Sequence, residues 1–273
     1  MHHIKKYYTI AGWIAILYMI IFFLYPLLVV TKSSFMQNEE WSLFNYIQIF
    51  SNSLYMNVLV KTIVISFIST LCTVVIGYIL AYFIANRKPE KQGIWLMVII
   101  SPMFVSLTIR LYGWMIFLSE QGPLNSILSV FTDKTISLLF TPTAVTIGIV
   151  HFVLPFMVLN IYNSIKTLDK SLEEASIILG ASKTRTFWKV TFPLTLPGVY
   201  AGSSIAFALA SSTFLVPIML GGPSESLLSN MAYDSIVTIG NTGMGAALSI
   251  LLLVIVVIVL GIVNMLERRG THV

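Results

Sequence analysis

The longest charged stretch of this sequence runs from Lys166 to Gly198, and its acids, hydroxyls and bases recur at helical spacing. Ser171 followed three residues later by Glu174 is the pattern of a capping box, in which each side chain satisfies a free backbone N–H at a helix start. Asp169, Glu173 and Glu174 favour the positive end of the same helix dipole. Leu172, Ala175, Ser176 and Leu179 stand at i, i+3, i+4 and i+7, so they share one narrow face. Gly180 ends this helix, because glycine enters the left-handed conformation without a Cβ clash. A second short helix is expected from Ser182 to Phe192, with Phe187 and Trp188 near its apolar side, and Pro193 and Pro197 are expected to break it. Taken together, residues 169–192 read as helix, glycine bend, helix, with apolar stripes and a basic polar face. Two roles fit that pattern on physics alone: a hairpin lying on a membrane surface, or a helix that docks on another protein.

Few other residues could do chemistry. The run from Gly180 to Thr184 invites a phosphate-loop reading, which fails: glycines are needed at 177 and 182, where Ile177 and Ser182 stand, and no strand precedes them. The chain therefore carries no ATPase of its own and is expected not to be an enzyme. Cys72 is the single cysteine and lies inside an apolar run, so it reads as a small buried residue. Arg110 sits midway along another such run, where a charge faces a cavity, meets a partner or snorkels to the interface. His151 also lies within an apolar run, as a proton relay or as a histidine hydrogen-bonded inside a bundle. Ser203, Ser204, Ser211, Ser212 and Thr213 accompany Gly202, a composition that lets helices pack closely.

These residues sit on elements set by composition. Only 10% of the 273 residues are charged and 57% are hydrophobic, with a mean hydropathy of +0.89. Soluble domains carry about 25% charged residues, so much of this surface must face lipid. The apolar runs are continuous and long, and backbone groups in lipid must pair within their own segment, which requires helices. Residues 1–273 thus read as one all-α transmembrane domain, with spans at about 10–30, 62–85, 94–118, 141–165, 194–220 and 246–266. The first run is too long for a signal-peptide core and is expected to remain as a span. The N-terminus, the 86–91 turn, the 166–189 segment and the C-terminus hold twelve of the sixteen Lys and Arg residues. The positive-inside rule puts these on the cytoplasmic side, with both termini. The net charge of +5 is explained by this orientation without invoking nucleic acid.

The spacing of Glu174-Ala175-Ser176, three residues, Gly180, nine residues, then Val190-x-Phe192-Pro193 resembles the EAA motif of permease subunits of ATP-binding-cassette importers. That pattern is Glu-Ala-Ala, three residues, Gly, nine residues, Ile-x-Leu-Pro. Ser176, Val190 and Phe192 depart from it while keeping size or apolar character. The stretch Ile109-Arg110-Leu111-Tyr112-Gly113-Trp114-Met115-Ile116-Phe117-Leu118-Ser119, then Gly122-Pro123-Leu124-Asn125, is similar to spermidine/putrescine permeases. So are Phe140–Val145 and Leu154–Met157, and the likeness spans roughly residues 10–265.

The resemblance implies a first permease subunit of a polyamine importer in the bacterial plasma (inner) membrane. Its partners would be a second permease chain, two ATPase subunits and an extracytoplasmic binding protein, with ATP and Mg on the ATPases and no cofactor here. Glu174, Ala175, Ser176, Gly180 and Pro193 would form the coupling helix: Glu174 a polar contact, Ala175 small enough to seat closely, Gly180 the bend. A cationic substrate favours aromatic faces, which makes Tyr112, Trp114, Phe117 and Phe214 candidate path-lining residues. Arg110 would then be a gate or docking contact that does not touch the cation. Glu120, Glu225 and Asp234 are expected on the outer side. Importers of ferric iron, phosphonate or sulfate share much of this layout. An ion-coupled secondary transporter, the competing class, would show paired intramembrane acids and would not need the EAA segment.

Overall fold

The computed structural model describes residues 12–37, 40–130 and 135–270; the basic N-terminus and the start of the first expected span, at residues 10 and 11, lie outside them. Among the described residues the chain is carried by the helices α1 (Gly12–Ser34), α2 (Phe44–Ser51), α3 (Ser53–Ala85), α4 (Pro89–Phe104), α5 (Leu107–Leu118), α6 (Pro123–Leu128), α7 (Pro142–Lys166), α8 (Lys170–Ile178), α9 (Lys183–Ser212), α10 (Leu228–Tyr233) and α11 (Thr242–Gly270). Between α1 and α2, Met36–Gln37 pairs antiparallel with Glu40–Trp41. The fold is an all-α membrane bundle. Helices α1, α3, α7, α9 and α11 are each long and apolar enough to cross a bilayer, and the bent pair α4/α5–α6 makes a sixth if it counts as one span.

The core lies where α3, α7 and α9 meet. Ile65, Ala81, Ile149, Met157, Ile161, Ala206 and Ala210 are buried there. Several polar side chains in this core are paired within the protein, while Ser66 Oγ and Ser69 Oγ are buried without a partner. Tyr78 Oη meets Thr195 Oγ1 at 2.8 Å, and Thr70 and Thr73 donate back to the carbonyls of Ser66 and Ser69 at 2.8 and 2.6 Å. Helix α1 packs against α11 and otherwise turns its apolar side chains outward.

Three features differ from the sequence expectation. The run 94–118 is not one straight helix: α4 and α5 are bent by 95° at a short break. Its cause is local. Pro102 sits in a tightened turn, Ser101–Phe104, and Val105 and Ser106 are extended, with ψ of 136° and 133°. The second difference is that Pro193 and Pro197 do not break the chain, and α9 runs through both. A π turn at Phe187–Thr191 precedes Pro193, and the Phe192 N–H reaches back to the carbonyl of Phe187. Widening the turn removes the clash between the proline ring and the carbonyl four residues earlier. The same device, Ile20–Leu24 with the Tyr25 N–H bonded to Ile20 O, precedes Pro26 in α1. Lastly, the fifth apolar run leaves helix α9 at Ser212, well before residue 220; Pro217–Gly221 forms a separate π turn.

Helices α7 and α9 approach closely at Gly198, where an added Cβ would stand 2.7 Å from the carbonyl oxygen of Asn160. Replacing Gly198 with Val should therefore separate the helices and destabilise the purified protein by about 1–3 kcal/mol, read by thermal unfolding in detergent. Gly93→Ala, at a helical position with nothing within 4 Å of the new Cβ, should leave the melting temperature unchanged or raise it.

Candidate functional site

The charged segment between α7 and α9 forms a compact, protruding element. Helix α8 starts one residue after Asp169, whose side chain accepts from the Ser171 backbone N–H at 3.0 Å. The expected Ser171–Glu174 capping box is thus replaced by an Asp169 cap. An aspartate just ahead of the first turn both accepts a free N–H and opposes the dipole. The Ser171 backbone hydrogen bond, and next its hydroxyl, hold the exposed Asp169 carboxyl below the usual carboxylate range.

Gly180 closes the helix as expected, at φ = +85°. The Ala181 N–H bonds to Ser176 O at 3.1 Å and the Gly180 N–H to Ile177 O at 2.9 Å. This is the Schellman arrangement, which satisfies two otherwise free carbonyls. Ser182 then caps α9 through its hydroxyl, which accepts from the Arg185 N–H at 3.3 Å.

Two side-chain contacts tie α8 to α9. Thr191 Oγ1 donates to Glu173 Oε1 at 2.5 Å, and Ser176 Oγ meets Thr186 Oγ1 at 3.0 Å. Both Thr186 and Thr191 are buried. Glu173 therefore faces inward, while Glu174 and Ala175 are exposed. Of the expected stripe, Leu172, Ala175 and Leu179 are exposed and Ser176 is half-buried against Thr186, so the exposed apolar surface runs along it. It gathers at the helix tip, where Ile178 and Leu179 are 85% and 87% exposed, beside Ile177. Pro193 lies almost three turns into the continuous helix, also exposed. Glu173, Thr186 and Thr191 hold the element together, and the sequence pattern alone did not single out this role; a carboxylate with two threonines on the following helix was its only trace.

The candidate path-lining residues fall into separate places. Arg110, Trp114 and Phe117 line one crevice of about 600 Å³ at the α4/α5 bend, together with Ser101, Val105 and His151. The Trp114 ring stands 5.7 Å from Phe117 and 5.7 Å from His151, edge to face in both cases. Arg110 Nε and Nη1 and His151 Nδ1 are buried without a hydrogen-bond partner. The expected hydrogen bond of His151 within the bundle is not made at Nδ1. Tyr112 is exposed on another face of α5. Phe214 stacks on Tyr233 at 5.4 Å beside a different cavity of about 510 Å³ between α9, α10 and α11. Glu225 pairs with Lys61 at 3.1 Å.

Residues 60–272 match the family described as binding-protein-dependent transport system inner membrane component. The chain is 36% identical over 273 residues to the spermidine/putrescine transport system permease protein PotB of Escherichia coli, covering 97% of this chain and 96% of that one. PotB of Haemophilus influenzae is 32% identical over 265 residues, covering 94% and 92%. Among solved structures, a chain of a bacterial alginate ABC transporter, in complex with a periplasmic protein bound to alginate pentasaccharide, superposes with a TM-score of 0.82. It is 17% identical and covers 98% of this chain and 96% of that one, a likeness of fold.

The Asp169 cap makes the start of α8 sensitive to acid. A carboxyl whose ionisation is favoured in the folded state stabilises it above the unfolded value, near about 3.9, and loses that contribution as pH falls through the folded value. The amides of residues 171–173 should stay protected from hydrogen exchange, relative to intrinsic rates, down to about pH 5, and lose protection in more acidic buffer. In Asp169→Asn that pH dependence should vanish.

Proposed function

The chain belongs to the family of binding-protein-dependent transport system inner membrane components, and from that premise we propose that it is the first permease subunit of a polyamine importer, taking up spermidine or putrescine. It is a multi-pass protein of the inner membrane and not an enzyme; ATP hydrolysis belongs to separate subunits. It works with another permease, with ATPases and with a periplasmic binding protein.

The coupling role rests on one observation: a capped, glycine-terminated helix with a bare apolar tip stands out from the bundle between two spans. Bare Ile178 and Leu179 at a helix tip, with Glu174 and Ala175 beside them, fit a groove on an ATPase subunit. Closure of the ATPase pair would push or pull α8. The Glu173–Thr191 and Ser176–Thr186 contacts pass that displacement to α9, and a continuous helix carries it into the bundle. In this reading α8 and both chain termini lie in the cytoplasm, as the Lys and Arg distribution favours. The polyamine substrate comes from the full-length likeness to spermidine/putrescine permeases. Substrate choice would lie mostly with the binding protein, and this chain would supply half the pathway and one coupling helix.

Reconstituted with its partners, the wild-type complex should accumulate radiolabelled spermidine or putrescine only when ATP is supplied. Gly180→Val forces a β-branched residue to positive φ and should cut uptake about tenfold or more while the subunits still co-purify, since strain at such a site costs about 1–3 kcal/mol. Normal uptake by an assembled Gly180→Val complex would reject the coupling role. Uptake unaffected by excess spermidine and putrescine would reject the substrate.

A further inference from the structure

The crevice at the α4/α5 bend holds the most costly polar arrangement in the described part of the molecule. Arg110 Nε and Nη1 are both donors and neither has a partner. His151 Nδ1, also without a partner, lines the same space and donates in the tautomer protonated there. The remaining walls are Pro102, Val105, Gly113, Trp114 and Phe117, with Ser101. Among the described residues no Asp or Glu lines it. A guanidinium left this way inside a membrane protein pairs with something that accepts.

Depth decides what kind of acceptor. His151 lies nine residues after Pro142 in the 25-residue helix α7. At 1.5 Å per residue that is about 14 Å along the axis, close to the middle of a hydrocarbon layer about 30 Å thick. Lipid phosphates do not lie at that level. A cationic substrate is excluded by charge, a step that rests on the polyamine reading above. What remains is an acceptor brought in by protein, and a second permease chain is part of this machine.

We propose that the crevice formed by Arg110, His151, Trp114 and Phe117 is a socket for an acidic side chain of the second permease subunit. The carboxylate accepts from Arg110 Nη1, and from His151 when its Nδ1 carries the proton. Trp114 and Phe117 close the sides and keep water out, which strengthens the pair. Arginine suits this position better than lysine because its guanidinium is planar, always charged and more weakly hydrated than an ammonium.

The test uses the assembled complex in membranes. With Phe117→p-benzoylphenylalanine, illumination should cross-link this chain to the second permease at a peptide carrying an Asp or Glu within one helical turn of the attachment point. Cross-links confined to lipid, to this chain or to the binding protein, or no cross-link, overturn the proposal. So does attachment to a peptide without an acid. Arg110→Met should lower co-purification of the second permease at least tenfold at unchanged membrane abundance, whereas Arg110→Lys should retain more of it. Neutralising the identified acid should reproduce the Arg110→Met loss, and combining the two should add little. Additive losses overturn the pairing. Wild-type uptake of sulfate instead of spermidine would sink the polyamine reading, and the cross-link result is read independently of it.

Discussion

Backbone polar groups in hydrocarbon have no water to bond, so each must find its partner within the protein. The rest of this structure follows from that constraint. Proline removes a donor and crowds a carbonyl, yet α1 and α9 both pass through prolines without unwinding. In each case a π turn ending two residues before the proline gives its predecessor a carbonyl five residues back. Serine and threonine hydroxyls meet the same demand, bonding to carbonyls three or four residues earlier at Thr62, Thr70, Thr73, Ser211 and Ser249. Where α9 ends, the carbonyls of Thr213 and Phe214 accept from Ser229 Oγ and Asn230 Nδ2 at 2.8 and 2.7 Å.

This pairing also gives α9 its mechanical character. A helix broken at Pro193 would act as a hinge and absorb any displacement of α8. With its ladder maintained through the π turn, α9 is one rod from Lys183 to Ser212. Its lower end is tied to α8 through Thr186 and Thr191, and its middle lies against α7 at Gly198 and Gly202. Its upper end is held to the start of α10. Leu228 N–H in turn donates to Thr62 Oγ1 of α3 at 2.9 Å. The exposed tip of α8 is thereby connected to segments at the far side of the bundle by contacts that are all short and at least partly buried.

How much of this was readable in advance depends on how local the cause is. The helical membrane class follows from charge-free length alone. The end of α8 was legible because Gly180 is the residue that accepts positive φ there, and the protruding segment was legible from its charge. The start of α8 was not, because Asp169 and Ser171 are both good caps two residues apart, and the choice depends on where the backbone turns helical. The intact helix through Pro193 was hidden because a π turn has no propensity signal of its own. The bend between α4 and α5 lay inside a run whose length suited a single span, and Pro102 was its only mark. Contacts such as Glu173–Thr191 and Arg110 beside His151 join residues on different helices. No periodicity within one segment reveals them.

The two incomplete surfaces of the chain sit at the two ends of this connected path. One is the apolar tip of α8. The other is the crevice holding Arg110 and His151. They are joined through the Pro217–Gly221 turn, whose Leu220 and neighbouring Val216 crowd Gly148 of α7, where Leu111 of α5 also comes close. Leu111 and Leu220 are fully buried, so the turn cannot shift without moving α5 or opening a void. Arg110 precedes Leu111 on that helix and must follow it. Under the proposed coupling role, a displacement entering at α8 would reach the bend as a change in where the unpaired donors point. An acceptor on another chain that satisfies them in one state would have to follow or let go in the other. On that proposal, the cost of leaving a guanidinium unpaired in hydrocarbon would favour two discrete arrangements over a continuous slide.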